Sequence, residues 1–281
     1  MAVKIVTDST ADLPEEIVKK LGIEVVPLNL HFGTATFKDG IDISVDEFYD
    51  RLINTNEFPT TSQPSVGDFL EKYKEIIDDS DGIVSIHISS KLSGTFNSAT
   101  QARDSLDGKK KIEVIDTGQV SMGIGLVVKA CAEAAIGGST IDEVANLSKE
   151  LSMKTECFAA IDNIEYLRRG GRIGRAAEFI GTLLKLKPMI TLKDGLVDKL
   201  GRARTFPKAV AALEKIVRDY GSVEGLSVMY STPTPFAEKL SASLGELLPE
   251  KESVVLTRLG PVIGAHGGPG AIGIAMIRKS N

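Results

Sequence analysis

The chain has 281 residues and a formal net charge of −5, and 42% of its residues are hydrophobic. This length suits two domains of a soluble globular protein, while the negative charge and the lack of tryptophan argue against a nucleic-acid surface. No apolar run is long enough to span a membrane, no export signal begins the chain, and Cys131 and Cys157 lack the spacing of a metal motif. We therefore expect a cytoplasmic protein without a metal site and without a nucleic-acid partner.

Strands and helices alternate through the first half of the chain. A β-branched strand at Lys4–Asp8 precedes Asp12-Leu-Pro-Glu15, in which Asp12 is predicted to cap a helix. The clearest strand covers residues 81–89, and a helix is predicted for 96–106. This alternation predicts a parallel sheet with crossover helices, and such sheets bind ligands beyond the carboxyl ends of their strands.

Small hydroxyl side chains lie at these predicted strand ends. Thr61 and Ser62 lie in a polar loop, and Ser93 and Gly94 directly precede a helix. The free N–H groups and the positive dipole end of a helix N-terminus favour an anion. We expect Thr61, Ser93 and the loop at residues 7–10 to converge on one edge of the sheet.

The second domain is predicted to begin near Cys157, so that the domains are residues 1–156 and 157–281. Asp194-Gly195 predicts a hairpin turn. The segment from Tyr166 to Arg175 contains four arginines around a Gly-Gly pair, and Arg202 follows later. Arginines on such a loop suit bidentate contact with carboxylate or phosphate, although a solvated helix face is the alternative.

Residues 260–270 surround His266 with five glycines and two prolines, and apolar strands are predicted on both sides. Glycine permits close approaches that a Cβ would prevent. A polar group between apolar strands suits a site in which a mostly apolar ligand ends in one polar group. A structural turn with an ordinary histidine is the alternative.

The same residues allow a hydrolase. Ser93, His266 and Asp8 form a possible catalytic trio, although the pattern Gly-x-Ser-x-Gly is absent around Ser93. The hydroxyls and the imidazole could equally hold a carboxylate by hydrogen bonds. The phosphate-loop and dinucleotide-binding glycine patterns are absent.

Taken together, the motifs resemble the DegV family, and they run in order through almost the whole chain. They are Asp8-Ser-Thr-Ala-Asp-Leu-Pro14, Thr61-Ser-Gln-Pro64, Ser89-Ser-Lys-Leu-Ser-Gly-Thr95, Asp116-Thr-Gly, Tyr166-Leu-Arg-Arg-Gly-Gly-Arg-Ile-Gly174, Lys187-Pro-Met-Ile and Gly264-Ala-His-Gly-Gly-Pro-Gly270.

The resemblance implies two α/β domains, one with a parallel and one with a mixed sheet, and a long-chain fatty acid between them. It implies a non-catalytic protein without a cofactor that presents the acid to an ATP-dependent fatty acid kinase subunit, in phospholipid metabolism and with transient contact to a membrane surface. Matching motif positions assign Thr61, Ser93 and His266 to the carboxylate, with Ser62 and Gly94 as secondary contacts.

The kinase surface is assigned in the same way to Arg169, Arg172 and Arg202. A lipid carrier without a kinase partner and a hydrolase using Ser93 and His266 remain the alternatives. We also expect the acyl tunnel to be lined from the second domain, by residues that include Phe179, Ile180, Leu183, Leu184, Ile190 and Ile263.

Overall fold

A computed structural model describes residues 3–55, 57–106, 111–179, 186–250 and 252–279. The strands, in chain order, are β1 (Lys4–Asp8), β2 (Glu24–Val26), β3 (Asn29–Phe32), β4 (Ala35–Lys38), β5 (Thr60–Ser62), β6 (Ile83–His87), β7 (Ile112–Asp116), β8 (Thr155–Ala160), β9 (Lys187–Lys193), β10 (Leu196–Ala203), β11 (Val223–Tyr230), β12 (Val255–Arg258) and β13 (Ile272–Arg278).

The α-helices of the described ranges are α1 (Glu15–Leu21), α2 (Val45–Asn54), α3 (Val66–Ile77), α4 (Thr95–Asp104), α5 (Met122–Ile136), α6 (Ile141–Lys154), α7 (Glu165–Arg169), α8 (Phe206–Tyr220), α9 (Pro235–Leu244) and α10 (Pro261–Gly267). Short 3-10 turns occupy Ser9–Ala11, Gly174–Phe179 and Gly245–Leu247. No helix within these ranges combines the length and the apolar character needed to cross a membrane.

The first sheet is parallel, as the alternation of elements predicts. Its strand order is β2-β1-β6-β7, and every neighbouring pair runs in the same direction. Because β1 and β6 are neighbours, the segments after Asp8 and after His87 leave the sheet at the same edge. This edge carries the loops that the sequence predicts to converge.

The second sheet is mixed, with the order β10-β9-β8-β13-β11-β12. Strands β11 and β12 are parallel, while the other neighbouring pairs are antiparallel. The predicted hairpin is confirmed: β9 and β10 are joined at Asp194 and Gly195, which both have positive φ angles, 53° and 76°.

A third, small antiparallel sheet has the order β4-β3-β5. Pro27 separates the strands β2 and β3, which belong to different sheets. The polar loop before α3 contains β5, in which Thr61 lies opposite Leu30. Thr61 is therefore held by a strand rather than by a free loop.

The two larger sheets share one hydrophobic core. Helix α5 packs against β1 and β6 of the parallel sheet and against β8, β11 and β13 of the mixed sheet. The largest cluster of buried apolar residues accordingly extends from Val3 to Ile277. The predicted boundary between residues 156 and 157 falls inside β8, the first strand of the mixed sheet.

Candidate functional site

A largely apolar cavity lies between the two sheets. It encloses about 950 Å³ of empty space, its open mouth included. Its apolar lining includes Leu28, Ile88, Leu92, Val120, Phe158, Ile161, Leu167, Ile190, Val197, Met229, Leu259, Val262, Ile263 and Ile272. Its polar lining includes Thr10, Thr61, Ser62, Gln63, Ser93, Ser121, Arg172 and His266.

His266 and Thr61 meet at this cavity although 205 positions separate them in the chain. The distance from His266 Nε2 to Thr61 Oγ1 is 2.9 Å. His266 lies on a helix, because residues 261–267 form the short helix α10. Proline at the first helical position favours this start, and Gly268 ends the helix with φ 73°.

The imidazole of His266 is neutral at physiological pH. Burial lowers the pKa of His266 to about 4, and the positive charge of Arg172 acts in the same direction. Its Nδ1 atom is buried and has no hydrogen-bond partner within the part of the chain that the structure describes. His266 therefore offers one N–H and one acceptor nitrogen, and the Thr61 hydroxyl can complement either tautomer.

Gly170 is the residue that makes room for this imidazole. A Cβ at Gly170 would lie 2.1 Å from His266 Nδ1, and its φ of −70° does not itself require glycine. The sequence indicates only that Gly170 interrupts the helix. The structure shows that its missing side chain lets α7 approach α10.

Ser93 lines the cavity next to the first turn of α4. Its Oγ lies 2.8 Å from Thr95 Oγ1 and accepts a hydrogen bond from the Thr95 N–H at 3.3 Å. Gly94 is the N-cap of α4. A Cβ at Gly94 would lie 2.2 Å from Gln63 Oε1, so the Gln63 side chain covers this glycine. Ser62 is exposed, and its Oγ lies 3.0 Å from His31 Nε2.

The three arginines predicted as a partner surface have different surroundings. Arg172 is partly buried, lines the cavity, and donates from Nε to Leu92 O and from Nη1 to Gly170 O. Arg169 is exposed, pairs with Glu165 and lies over the Phe58 ring. Arg202 is exposed on β10. Arg172 thus belongs to the cavity wall, whereas the other two face solvent.

The structure does not bring Asp8 of the possible hydrolase trio together with His266. Asp8 accepts hydrogen bonds from Thr10 and contacts His87 Nδ1 at 2.9 Å instead of His266. His87 Nε2 in turn lies 2.6 Å from Ser85 Oγ. This Ser85-His87-Asp8 arrangement resembles a triad, but all three side chains are buried and cannot meet a substrate. His87 supports the sheet, as its strand position indicates.

The expected tunnel lining is only partly within the described residues. Ile190 and Ile263 line the cavity. Ile180, Leu183, Leu184 and the side chain of Phe179 lie outside the described residues. Residues of the first half, such as Leu28 and Ile88, also line the cavity.

The sequence motifs gave no role to two polar residues of the cavity, Gln63 and Ser121. Gln63 lies within the Thr61–Pro64 motif, which was the available signal, whereas Ser121 lies three residues after the Asp116-Thr-Gly motif. Within the described ranges, no group of three or more histidine, cysteine, aspartate or glutamate residues could hold a metal ion.

Fold and site together define a class: an α/β protein with a parallel and a mixed sheet that enclose an apolar cavity with hydroxyl groups and a neutral imidazole in its wall. The chain belongs to the DegV family, because the family's sequence model, described as "Uncharacterised protein, DegV family", matches residues 2–279. A DegV domain-containing protein of Streptomyces coelicolor is 36% identical over 277 residues, which cover 98% of each chain.

Solved structures agree with this assignment. "Fatty Acid Binding of a DegV family Protein from Thermus thermophilus" has a TM-score of 0.90 and 36% identity, covering 99% of this chain and all of its own. DegV of Bacillus subtilis, described as a fatty acid binding protein, has a TM-score of 0.87 and 29% identity with the same coverage. A stearic acid-binding protein of Eubacterium ventriosum has a TM-score of 0.88 and 26% identity, covering 99% and 98%.

Proposed function

We propose that this protein binds a long-chain fatty acid in the cavity between its two sheets, without catalysing a reaction by itself. The carboxylate is held by Thr61, Ser93 and His266, and the acyl chain lies along the apolar wall. The observation that carries the proposal is the pairing of Thr61 with His266 at the wall of an otherwise apolar cavity. Relatives of the same fold that are described as fatty acid binding proteins support it.

The energetics assign separate roles to the two ends of the ligand. Burying a sixteen-carbon chain at about 0.8 kcal/mol per CH₂ gives roughly 10 kcal/mol before the costs of association. A hydrogen bond to a charged carboxylate contributes about 1.5–3 kcal/mol. The apolar wall therefore determines most of the affinity, and the polar groups determine which end of the ligand lies where.

Native mass spectrometry of the purified protein, followed by denaturing extraction, tests this proposal. We expect one long-chain fatty acid per chain, either retained from the cell or taken up after delipidation and incubation. A protein that stays empty in both conditions contradicts lipid binding. Ester substrates would then be tested, since hydrolysis lost in Ser93→Ala would support the hydrolase instead.

A further part of the proposal is that a cytoplasmic ATP-dependent kinase subunit phosphorylates the bound acid, and that exposed arginines dock this subunit. The exposure of Arg169 and Arg202 supports such a surface. Charge reversal in Arg202→Glu should reduce acyl-phosphate formation with the host's kinase subunit while fatty acid binding stays unchanged. Lys215→Glu, a charge reversal on α8, serves as the control.

Arg172→Glu should behave differently, because Arg172 lines the cavity and holds two backbone carbonyls. We expect it to weaken fatty acid binding as well as acyl-phosphate formation. For Arg202→Glu, an equal loss of fatty acid binding and of acyl-phosphate formation would show that Arg202 also supports the binding site. Unchanged acyl-phosphate formation in Arg202→Glu would show that Arg202 is not part of the docking surface.

A further inference from the structure

Two buried carboxyl groups lie at the start of α10, the helix that carries His266. The Gly260 N–H donates to Asp12 Oδ1 at 2.9 Å. The Asp39 carboxyl lies beside the same helix start; burial raises its pKa, while the neighbouring Val262 backbone and Ser9 side chain act in the opposite direction. Both acids come from the first forty residues, so a distant part of the chain holds the beginning of this helix.

These acids replace an ordinary helix cap. The N-cap residue of α10 is Gly260, which has no side chain that could accept from the helix N–H groups. A Cβ at Gly260 would lie 2.9 Å from Asp12 Oδ1 and 3.8 and 4.0 Å from the two Asp39 oxygens. The missing side chain therefore lets the Asp12 carboxyl reach this helix end, with the Asp39 carboxyl next to it.

Asp12 is itself fixed from two sides. Its Oδ2 lies 2.5 Å from Ser121 Oγ, and its carbonyl oxygen accepts from Thr257 Oγ1 at 3.0 Å. Asp12 and Ser121 both have positive φ angles, 52° and 54°. Non-glycine residues keep such angles only where their surroundings determine them, which indicates that this pair has a specific task.

We propose that Asp12 and Asp39 are positioning residues that clamp the first turn of α10 and thereby set the imidazole of His266 against the ligand. The proposal rests on the proposed function, since it concerns the same binding site. It explains why two acids are buried beside a cavity that they do not line. It also assigns Asp12 to the site, in place of the helix cap predicted from the sequence.

The protonation of the clamp suggests a matched pair of variants. Burial raises the pKa of Asp12 to about 8, so near neutral pH this side chain is mainly a neutral acid. The neutral acid accepts from Gly260 and donates to Ser121. Asparagine offers the same acceptor and a donor in the same shape, whereas alanine offers neither.

The experiment compares Asp12→Asn and Asp12→Ala, with Asp104→Ala at an exposed site as the control. The chain has three histidines, so the His266 imidazole can be followed by ¹⁵N NMR in the delipidated protein. We expect Asp12→Ala to change the His266 signals and to weaken fatty acid binding by tenfold or more. Asp12→Asn should keep both properties within about twofold of the unmodified protein.

Gly260→Ala provides a second route if Asp12→Ala does not fold. Its Cβ pushes against Asp12 Oδ1 without removing the acid, and the φ of −64° accepts alanine. We expect a smaller change of the His266 signals in the same direction.

Unchanged His266 signals in a folded Asp12→Ala or Gly260→Ala variant would overturn the clamp, whatever the protein binds. A failure of the unmodified protein to bind fatty acid would instead contradict the proposed function. The His266 signals would then still test whether the buried acids position α10.

Discussion

At the scale of single residues, His266 acts as a hydrogen-bonding group rather than as a charge. Burial and the nearby Arg172 keep its pKa at about 4, so it carries no positive charge to neutralise a bound carboxylate. Arg172 is the cation of the cavity wall. In the proposed complex, hydrogen bonds from Thr61, Ser93 and His266 therefore orient the carboxylate, while the positive charge of Arg172 attracts it.

Replacing Thr61 should reveal this directional role. In Thr61→Ala the hydroxyl that complements His266 Nε2 is lost. We expect fatty acid affinity to fall by roughly 10- to 100-fold, as for the loss of one hydrogen bond to a charged group. Thr60→Ala, at an exposed position on the same strand, is the control and should bind normally. Equal affinities of the two variants, measured by titration calorimetry, would exclude Thr61 from the carboxylate site.

Gly170 should tolerate no side chain while His266 is present. The Cβ of Gly170→Ala would lie 2.1 Å from His266 Nδ1, so the ring or the end of α7 must move. Overpacking of this kind costs about 1–3 kcal/mol of unfolding free energy. Gly245→Ala is the control, because nothing lies within 4 Å of its Cβ.

The double variant Gly170→Ala/His266→Ala tests whether the imidazole is the cause. Removing the ring should recover most of the stability that Gly170→Ala loses, as measured by urea unfolding. If the two losses simply add, the clash lies elsewhere in the molecule.

At the scale of elements, α10 depends on its neighbours. A helix of seven residues is too short to be stable alone. The Tyr49 hydroxyl donates to Leu259 O just before it, and a Cβ at Gly264 would lie 2.7 Å from the Phe48 ring. Helix α2, the buried acids and the glycines thus determine together where α10, and with it His266, can lie.

The buried acids should make unfolding free energy depend on pH. Burial raises the pKa of Asp12 from 3.8 to about 8 and that of Asp39 to about 6, and neighbouring carboxylates add to both shifts. The titratable groups that act on Asp12 or feel its charge are Asp8, Asp39, Tyr49 and Cys157. The folded protein holds these protons at pH values where the unfolded chain has lost them. Their contribution to stability therefore decreases as pH rises from about 4 to 8.

Asp12→Asn should flatten this profile between pH 6 and 8, where the Asp39 contribution decreases towards zero. The change in slope should approach 1.4 kcal/mol per pH unit, the limit for one proton. Urea unfolding at pH 5, 6, 7, 8 and 9 measures it, with Asp104→Ala as the control. The same slope in both variants between pH 6 and 8 would mean that Asp12 is ionised throughout.

At the scale of the whole molecule, the cavity exists because two sheets share one core. Helix α5 contacts both sheets, and residues of both halves line the cavity. The Ser89 hydroxyl also donates to Gly195 O at 2.7 Å, which joins the edge of the parallel sheet to the hairpin of the mixed sheet. We therefore propose that residues 1–156 and 157–281 are two structural parts of one cooperative unit.

Calorimetry should accordingly show one unfolding transition for the delipidated protein. A separate core in each part would give two transitions, and that result would contradict a shared core. Adding fatty acid at about 100 times its Kd should stabilise the protein by about 2.7 kcal/mol, because the ligand binds only the folded state. The fatty alcohol of the same chain length, which lacks the carboxylate, is the control for the role of that group.

Local patterns predicted most of the elements and the polar loops. Ser65 and Thr140 cap α3 and α6 with complete capping boxes, and the Asp194-Gly195 turn joins β9 to β10. Such signals act between neighbours in the chain, so one sequence is enough to recognise them. The prediction that Asp12 caps the following helix is wrong, because local signals do not show partners that are distant in the chain. The side chain of Asp12 instead contacts Ser121 and Gly260, which lie more than 100 positions away.

By itself, the sequence determined the succession of strands and helices, the parallel sheet and the segments that carry Thr61, Ser93 and His266. Periodicity, caps and turns depend on residues that are close in the chain, and the motif resemblance depends on their identity. Only the tertiary structure decided that His266 lies on a helix, that Gly170 makes room for it and that Arg172 belongs to the cavity wall. These features depend on the packing of segments far apart in the chain, where a distance of a few ångströms decides the outcome.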